Sequence, residues 1–421
     1  MPKAAETTIS LTLPQARAVW LAAQGLPPAA AKPALLPTLE RTGFVRTLGG
    51  VDVYLAVRAR VPGLTRADLD ALVERHDAQV VPAARGCIYL VPRRDVPFAL
   101  RAAHLLSRAR DERDQQKAGI KPGEVEKVAK AALAVLEKKG PLTTDALRRA
   151  LPEGTVRSLG EQGRKVGVSS PLPGALRLLE FEGRIERTLE GGRLDTERYL
   201  WRTTAKNPFA AARVPDDPAE LWLRLALVYF RAAGLGTRKA FAEWAGISQR
   251  DAQAAADRAG LVPVTVEGQS EPGLMLESER RALLDAEGTD DAIAFLPFDD
   301  NLLSLRGTAA ELVDPAHHGL EVPTWGGGSR TARLGDARYM AFRSIVAEGK
   351  VAGFWEFDPD AGEVVHACFD KVRPATRKRL EAGAADVARF LAKDLGHGRS
   401  FSIDTDEELK KRVAQIRKLR R

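Results

Sequence analysis

Along the first hundred residues the spacing of apolar positions changes more than once. Ala16, Val19, Trp20 and Ala23 recur at helical spacing in LPQARAVWLAAQGL, and Gly25 with Pro27-Pro28 ends that run. A second helix is predicted over 32–42. Then comes GFVRTLGGVDVYLAVRARVPGLT, where β-branched residues follow a double glycine, and Thr65 stands where it would cap the helix of RADLDALVERH. Alternation of Cys87, Tyr89 and Val91 in RGCIYLVPRRDV predicts a strand returning from one at 78–83. Two helices, a turn, another helix and a hairpin make a winged-helix pattern over residues 1–104.

The same order recurs twice. Residues 105–123 are highly charged and poor in large apolar side chains, and read as a solvated helix or linker. In 124–212, Val125, Val128, Ala132, Val135 and Leu136 share a helical face, Gly140-Pro141 makes a turn, and Thr143 or Thr144 caps the next helix. A hairpin turning at Gly191-Gly192 ends this second unit as a wing. A third unit, 213–290, has glycines at its turn and Ser248 as a cap. From 291 to 400 the runs AIAFLPF, NLLSLRG, YMAFRSIVAEGKVAGFWEF and EVVHACF are short and β-prone, predicting a small barrel-like domain. Residues 401–421 read as a basic helical tail with Leu409, Val413, Ile416 and Leu419 in register. The predicted class is α+β, mostly α: tandem winged-helix (helix-turn-helix) domains and a small C-terminal β-barrel-like domain.

Composition narrows the partners. A chain of 421 residues exceeds what one core serves, and 44% hydrophobic with 29% charged residues suits several globular domains. Cys87 and Cys368 stand alone, which argues against a disulfide framework or a zinc site and for a reducing cytoplasm. The adjacent His317 and His318 lack a third ligand nearby, so no metal and no cofactor is expected. No stretch reaches the roughly 18 apolar residues of a membrane span. The net charge of +8 favours a polyanionic partner once it coincides with a binding motif. TWGGGSRTARLG lacks the lysine and strand-to-helix context of a nucleotide loop and reads as a flexible loop.

Five ordered stretches carry a resemblance. LPQARAVWLAAQGL, RGCIYLVPRRDV, KGPLTTDALRRAL, VYFRAAGLGTRKAFAEWAGIS and FLPFDDNLLSLRG together resemble the AlkZ/YcaQ family of DNA glycosylases over nearly the whole chain. In the second stretch Cys87 and Tyr89 replace the family's Thr and His. The resemblance implies three tandem winged helices and a barrel around duplex DNA, and metal-free hydrolysis of the glycosidic bond of alkylated purines or unhooking of interstrand crosslinks. It also implies a Gln-x-Gln or Gln-x-Asp motif that holds water and stabilises the sugar cation. This chain has neither form: Asp52-Val53-Tyr54 or Arg46-Thr47-Leu48 stands in that place, depending on the anchor chosen.

Two readings of the chemistry therefore stay open. Asp52 either orients water and offsets oxocarbenium charge, or is a turn residue after Gly49-Gly50. Tyr54 and Tyr89 either wall a pocket for a displaced base or pack in the core. Candidate DNA contacts are Gln24, Arg46, Arg85, Arg148, Arg149, Arg184, Arg187, Arg193, Arg238, Lys239 and Arg306, most of them in expected recognition helices or wings. The expected partner is double-stranded, damaged DNA, bound by a monomer at the bacterial nucleoid. The alternative is a non-catalytic damage-recognition protein that kept the scaffold and lost the motif; a transcriptional regulator is the third reading.

Overall fold

A computed structural model describes residues 9–27, 32–47, 49–196, 198–210, 212–325, 331–401 and 404–419. The chain opens with β1 (Ile9–Leu11) and α1 (Leu13–Ala23). Thr12 caps α1 in a capping box with Gln15, satisfying donors that a helix start leaves free. There follow α2 (Leu35–Thr42), β2 (Val45–Arg46), α3 (Asp52–Arg58), α4 (Arg66–Glu74), β3 (Ala78–Pro82) and β4 (Ile88–Pro92). Their sheet runs β2-β4-β3, antiparallel throughout. Thr65 caps α4 as its sequence suggests. The segment after the double glycine is a helix, although its β-branched residues resemble a strand. Val53, Tyr54, Leu55, Ala56 and Val57 are all buried in α3, so packing on every side outweighs local propensity.

Next is α5 (Val96–Lys117), whose charged second half coincides with the expected linker. The second unit comprises α6 (Glu124–Lys139), α7 (Thr144–Ala150), α8 (Gly160–Arg164), α9 (Leu172–Phe181), β5 (Ile185–Leu189) and β6 (Tyr199–Thr203). Leu142 bridges to Trp201 beside this hairpin. The third comprises α10 (Pro218–Ala233), α11 (Arg238–Ala245), α12 (Gln249–Arg258), β7 (Leu261–Val266) and β8 (Gly273–Leu276), with Gly236 bridging to Leu274. In the first unit β2, after α2, pairs with the last strand β4, and in the second and third a single residue after the first helix bridges to the last strand. β1 departs from sequence order: it pairs in parallel with β7, Ile9 opposite Val264.

After α13 (Arg280–Leu284) come β9 (Ala294–Leu296), α14 (Asn301–Ser304), β10 (Glu321–Pro323), β11 (Thr331–Arg333), β12 (Arg343–Ala347), β13 (Lys350–Asp358) and β14 (Glu363–Cys368). The chain closes with α15 (Pro374–Arg389), a π-helical turn Phe390–Leu395, and α16 (Asp406–Leu419). NLLSLRG, expected to be extended, contains α14, because Asp300 caps a turn there. The expected barrel is instead an open sheet, β14-β13-β12-β9, and the described strands form no closed barrel. Helices α15 and α16 pack on this sheet, which covers its apolar surface without closure. Leu409, Val413 and Ile416 of α16 are buried, so the basic tail is part of the core rather than a free arm. Residues 326–330, with the glycine triplet read as a loop from the sequence, lie outside the described residues.

Candidate active site

Asp52 owes its place to the two glycines before it. Gly49 and Gly50 have φ of 77° and 80°, in the left-handed region that costs glycine little. A Cβ on Gly50 would stand 2.0 Å from the Ser400 carbonyl oxygen, so only glycine allows the loop 398–401 to lie this close. The Gly50 N–H donates to the Asp195 carbonyl (3.1 Å) and the Val51 N–H to the Arg399 carbonyl (3.0 Å). These bonds fix the first turn of α3, where Asp52 is the first helical residue.

The carboxyl is 15% exposed and accepts from Ser400 Oγ at 3.2 Å, with Arg343 Nη2 at 3.5 Å. Arg343 is fully buried over the rings of Phe298 and Trp355. It donates to Glu356 (2.6 Å), the Gly398 carbonyl (2.7 Å) and Ser400 Oγ (2.7 Å). Arg412 continues the chain from Glu356 to Asp404. Two guanidiniums thus balance Glu356 and Asp404, and an ionised Asp52 adds one negative charge with no cation of its own. Burial raises its pKa to about 7, against the lowering pull of Arg343 and Ser400 and with added push from Glu356 and Asp404.

Asp52 lines a crevice with Arg46, Phe298, Asp299, Asp300 and Asn301, with room on the order of one water molecule. Arg46, at the end of β2, forms an ion pair with Asp299 at 3.0 Å. Asp299 has φ 54°, a conformation uncommon outside glycine. Below them Arg60 grips Asp300 with both terminal nitrogens (2.8 and 2.7 Å) and donates to Gln24 Oε1 (2.6 Å). Asn301 donates to the Thr42 and Phe44 carbonyls, tying α14 to the end of α2. The arrangement offers a carboxyl group of raised pKa, a water-sized space and, around it, carboxylates paired with fixed guanidiniums. Among the described residues no cluster of metal-ligating side chains accompanies it.

Residues 39–390 match the family model described as DNA glycosylase AlkZ-like. The chain belongs to the AlkZ-like DNA glycosylase family. Its members are named for glycosylase action on DNA, a reaction of DNA repair, and that resemblance is what the five sequence stretches carry. The solved structure of the Streptomyces sahachiroi DNA glycosylase AlkZ aligns with a TM-score of 0.67 over 93% of this chain and 99% of that one, at 19% identity. Comparison with curated proteins gave no match. No described helix is long and apolar enough to cross a membrane.

Within this AlkZ-like scaffold both alignments of the missing motif lead to one place, because Arg46 and Asp52 line the same crevice. Leu48 lies outside the described residues. Tyr54 points elsewhere: its hydroxyl donates to Asp70 and accepts from the Leu194 N–H (2.7 Å), which joins α3 to α4 and to the second unit's hairpin loop. Of the residues expected to meet DNA, Arg148, Arg149, Arg184, Arg238 and Lys239 are exposed. Gln24 is fully buried and donates to the Ala232 carbonyl at 2.6 Å, so it is an interior strut. Arg306 caps the end of α10 through the Leu235 and Ala233 carbonyls and lies over the Trp20 ring; burial lowers its pKa to about 10. Arg187 holds Glu180 with two bonds (2.7 and 2.9 Å) against Trp201, and Arg193 is occupied by Asp195 and the Leu395 carbonyl. These four side chains serve the fold in this structure, each drawn inward by carbonyls or carboxylates that would otherwise be unmatched. Sequence reasoning passed over Asp299 and Arg343. Asp299 sits inside FLPFDDNLLSLRG, where adjacent acids between apolar residues are a readable signal; Arg343 has none.

Proposed function

We propose that this protein hydrolyses the N-glycosidic bond of alkylated purines in duplex DNA, with Asp52 as the carboxylate that orients water and offsets positive charge on the sugar. The single observation that supports the reading most is a carboxyl group with a pKa near 7 beside a water-sized space. An alkylated purine already leaves readily, so a protein need supply little acid catalysis; what it must supply is negative charge where the oxocarbenium ion develops. The unmatched charge of ionised Asp52 fits that demand. Three runs of three or four helices, each closed by an antiparallel hairpin, support tandem winged helices, the exposed Arg149, Arg184, Arg238 and Lys239 being their phosphate contacts. The test is excision of N7-methylguanine, or unhooking of a crosslink, from a defined duplex. Wild type should release product and Asp52→Asn should lose at least about 100-fold in rate; equal and negligible product from both removes the hydrolase.

One observation favours a second reading, damage recognition without hydrolysis. The Arg46 guanidinium, itself a fixed cation, lies in the crevice where a sugar cation would form. Tight, salt-dependent binding of a lesion duplex with no excision would establish it.

A further inference from the structure

The loop between β5 and β6 belongs to the second unit, yet it reaches the first and touches both segments that hold Asp52. Each of residues 193–195 makes a tie. The Leu194 N–H donates to Tyr54 Oη on α3 at 2.7 Å, and Leu194 itself is buried. Arg193 donates to the Leu395 carbonyl at 2.6 Å, where the stretch leading to Ser400 begins. The Asp195 carbonyl accepts from the Gly50 N–H (3.1 Å), at the turn that opens α3.

The Asp195 side chain, 2% exposed, extends the connection. Burial opposes its ionised form, yet the bonds from Arg193 and His397 outweigh burial and hold the carboxyl below the ordinary carboxylate range. Its Oδ2 lies 3.0 Å from His397 Nε2, and His397 Nδ1 accepts from the Arg399 N–H at 3.2 Å. A ring nitrogen that accepts carries no proton, so Nε2 carries it and donates to Asp195. The Arg399 carbonyl in turn accepts from the Val51 N–H at 3.0 Å. The bonds therefore close a ring that runs from the Asp195 carboxylate through the His397 imidazole and the Arg399 peptide to the entry of α3, and back to the Asp195 carbonyl. Ser400 follows Arg399 and Asp52 follows Val51, and the Ser400 hydroxyl donates to the Asp52 carboxyl.

We infer that Asp195 and His397 are positioning residues for Asp52: through the Arg399 peptide they hold the Ser400 loop against the first turn of α3, so that the second unit completes the site of the first. The inference rests on the proposed function in taking Asp52 as the working carboxylate. Neither side chain lines the crevice, so the effect of both passes through Ser400 and α3.

The test compares Asp195→Asn and His397→Ala with His76→Asn. His76 also ties the first unit to this hairpin, through Glu186 on β5 (3.0 Å) and Arg202 on β6 (2.8 Å), but among the described residues it bonds to neither segment around Asp52. Asparagine tolerates its φ of 63°. The Asp52 titration is read from the unfolding free energy of each variant, with and without Asp52→Asn, across the pH range. Burial is the largest influence on that carboxyl, so a loosened Ser400 loop that admits water should lower the titration midpoint by about one pH unit in Asp195→Asn and His397→Ala. In His76→Asn the midpoint should stay in place. On a lesion duplex the first two variants should lose about tenfold in kcat with KM within about twofold of wild type. An unmoved or raised midpoint in both Asp195→Asn and His397→Ala, or an equal fall in His76→Asn, would overturn the assignment. If Asp195→Asn fails to fold, His397→Ala, which removes a partly exposed side chain, decides alone. The two ideas separate: a lowered midpoint with no excision by wild type retires the hydrolase alone, and excision with an unmoved midpoint retires the positioning pair alone.

Discussion

A carboxyl group with a pKa near 7 is part ionised in neutral solution, and its environment opposes the ionised form that chemistry requires. The linkage follows from the direction of the shift. The folded state holds the Asp52 proton above pH 4 while the unfolded chain has released it, so the folded state binds more protons and stability falls as pH rises from about 4 to about 7. Asp52→Asn should accordingly stabilise the protein by about 1–3 kcal/mol at pH 8 and by little at pH 4, read by denaturant melts at both values. Excision by wild type should rise with pH through about 7. At this scale the sequence was partly legible: a carboxylate after paired glycines marked Asp52, whereas neither the burial that raises its pKa nor the partners that pull it down, Arg343 and Ser400 at separations of 291 and 348 residues, are local. Tyr54 shows the opposite limit. Two positions along a helix turn a side chain to the far face, and nothing local says that α3 is a helix.

Elements bounded by clear turn residues were readable, and the hairpin of β3 and β4 emerged close to its expected bounds although both its faces are buried. Helix α3 was not, since a helix buried all round has no polar stripe to betray its period. The barrel expectation failed for a related reason: β-prone runs disclose strands but not whether the last pairs with the first, and here α15 and α16 cover the sheet. The entry to α3 carries its own prediction. Gly50→Ala forces a methyl group onto the Ser400 carbonyl and a strained φ at once, so it should cost about 2–4 kcal/mol by thermal or denaturant unfolding. A surviving fold would also lose excision, because the first turn of α3 shifts with the loop that holds Ser400.

At the scale of the molecule, the recurrence of helices closed by a hairpin was visible in the sequence, and the antiparallel hairpins β3–β4, β5–β6 and β7–β8 stand where it was read. Which arginines face outward was not visible. Gln24, Arg187 and Arg193 stood in helices or wings, and Arg306 in a β-prone run, as plausibly as Arg149 or Arg238 did, and only three-dimensional packing shows which carbonyls and carboxylates claim them. Changing Arg149, Arg184, Arg238 and Lys239 together to Ala should reduce the salt slope of duplex binding by about 2–4 and leave the melting temperature within a few degrees, since these side chains are exposed. The parallel pairing of β1 with β7 bears on how the protein is made. Ile9 leaves the ribosome long before Val264 exists, so the opening strand must wait, unpaired, for most of the polypeptide to be synthesised. The first and third units are thereby clasped by the chain's own beginning, and a fragment ending after the second unit would leave Leu11 and Trp20 without the cluster that buries them.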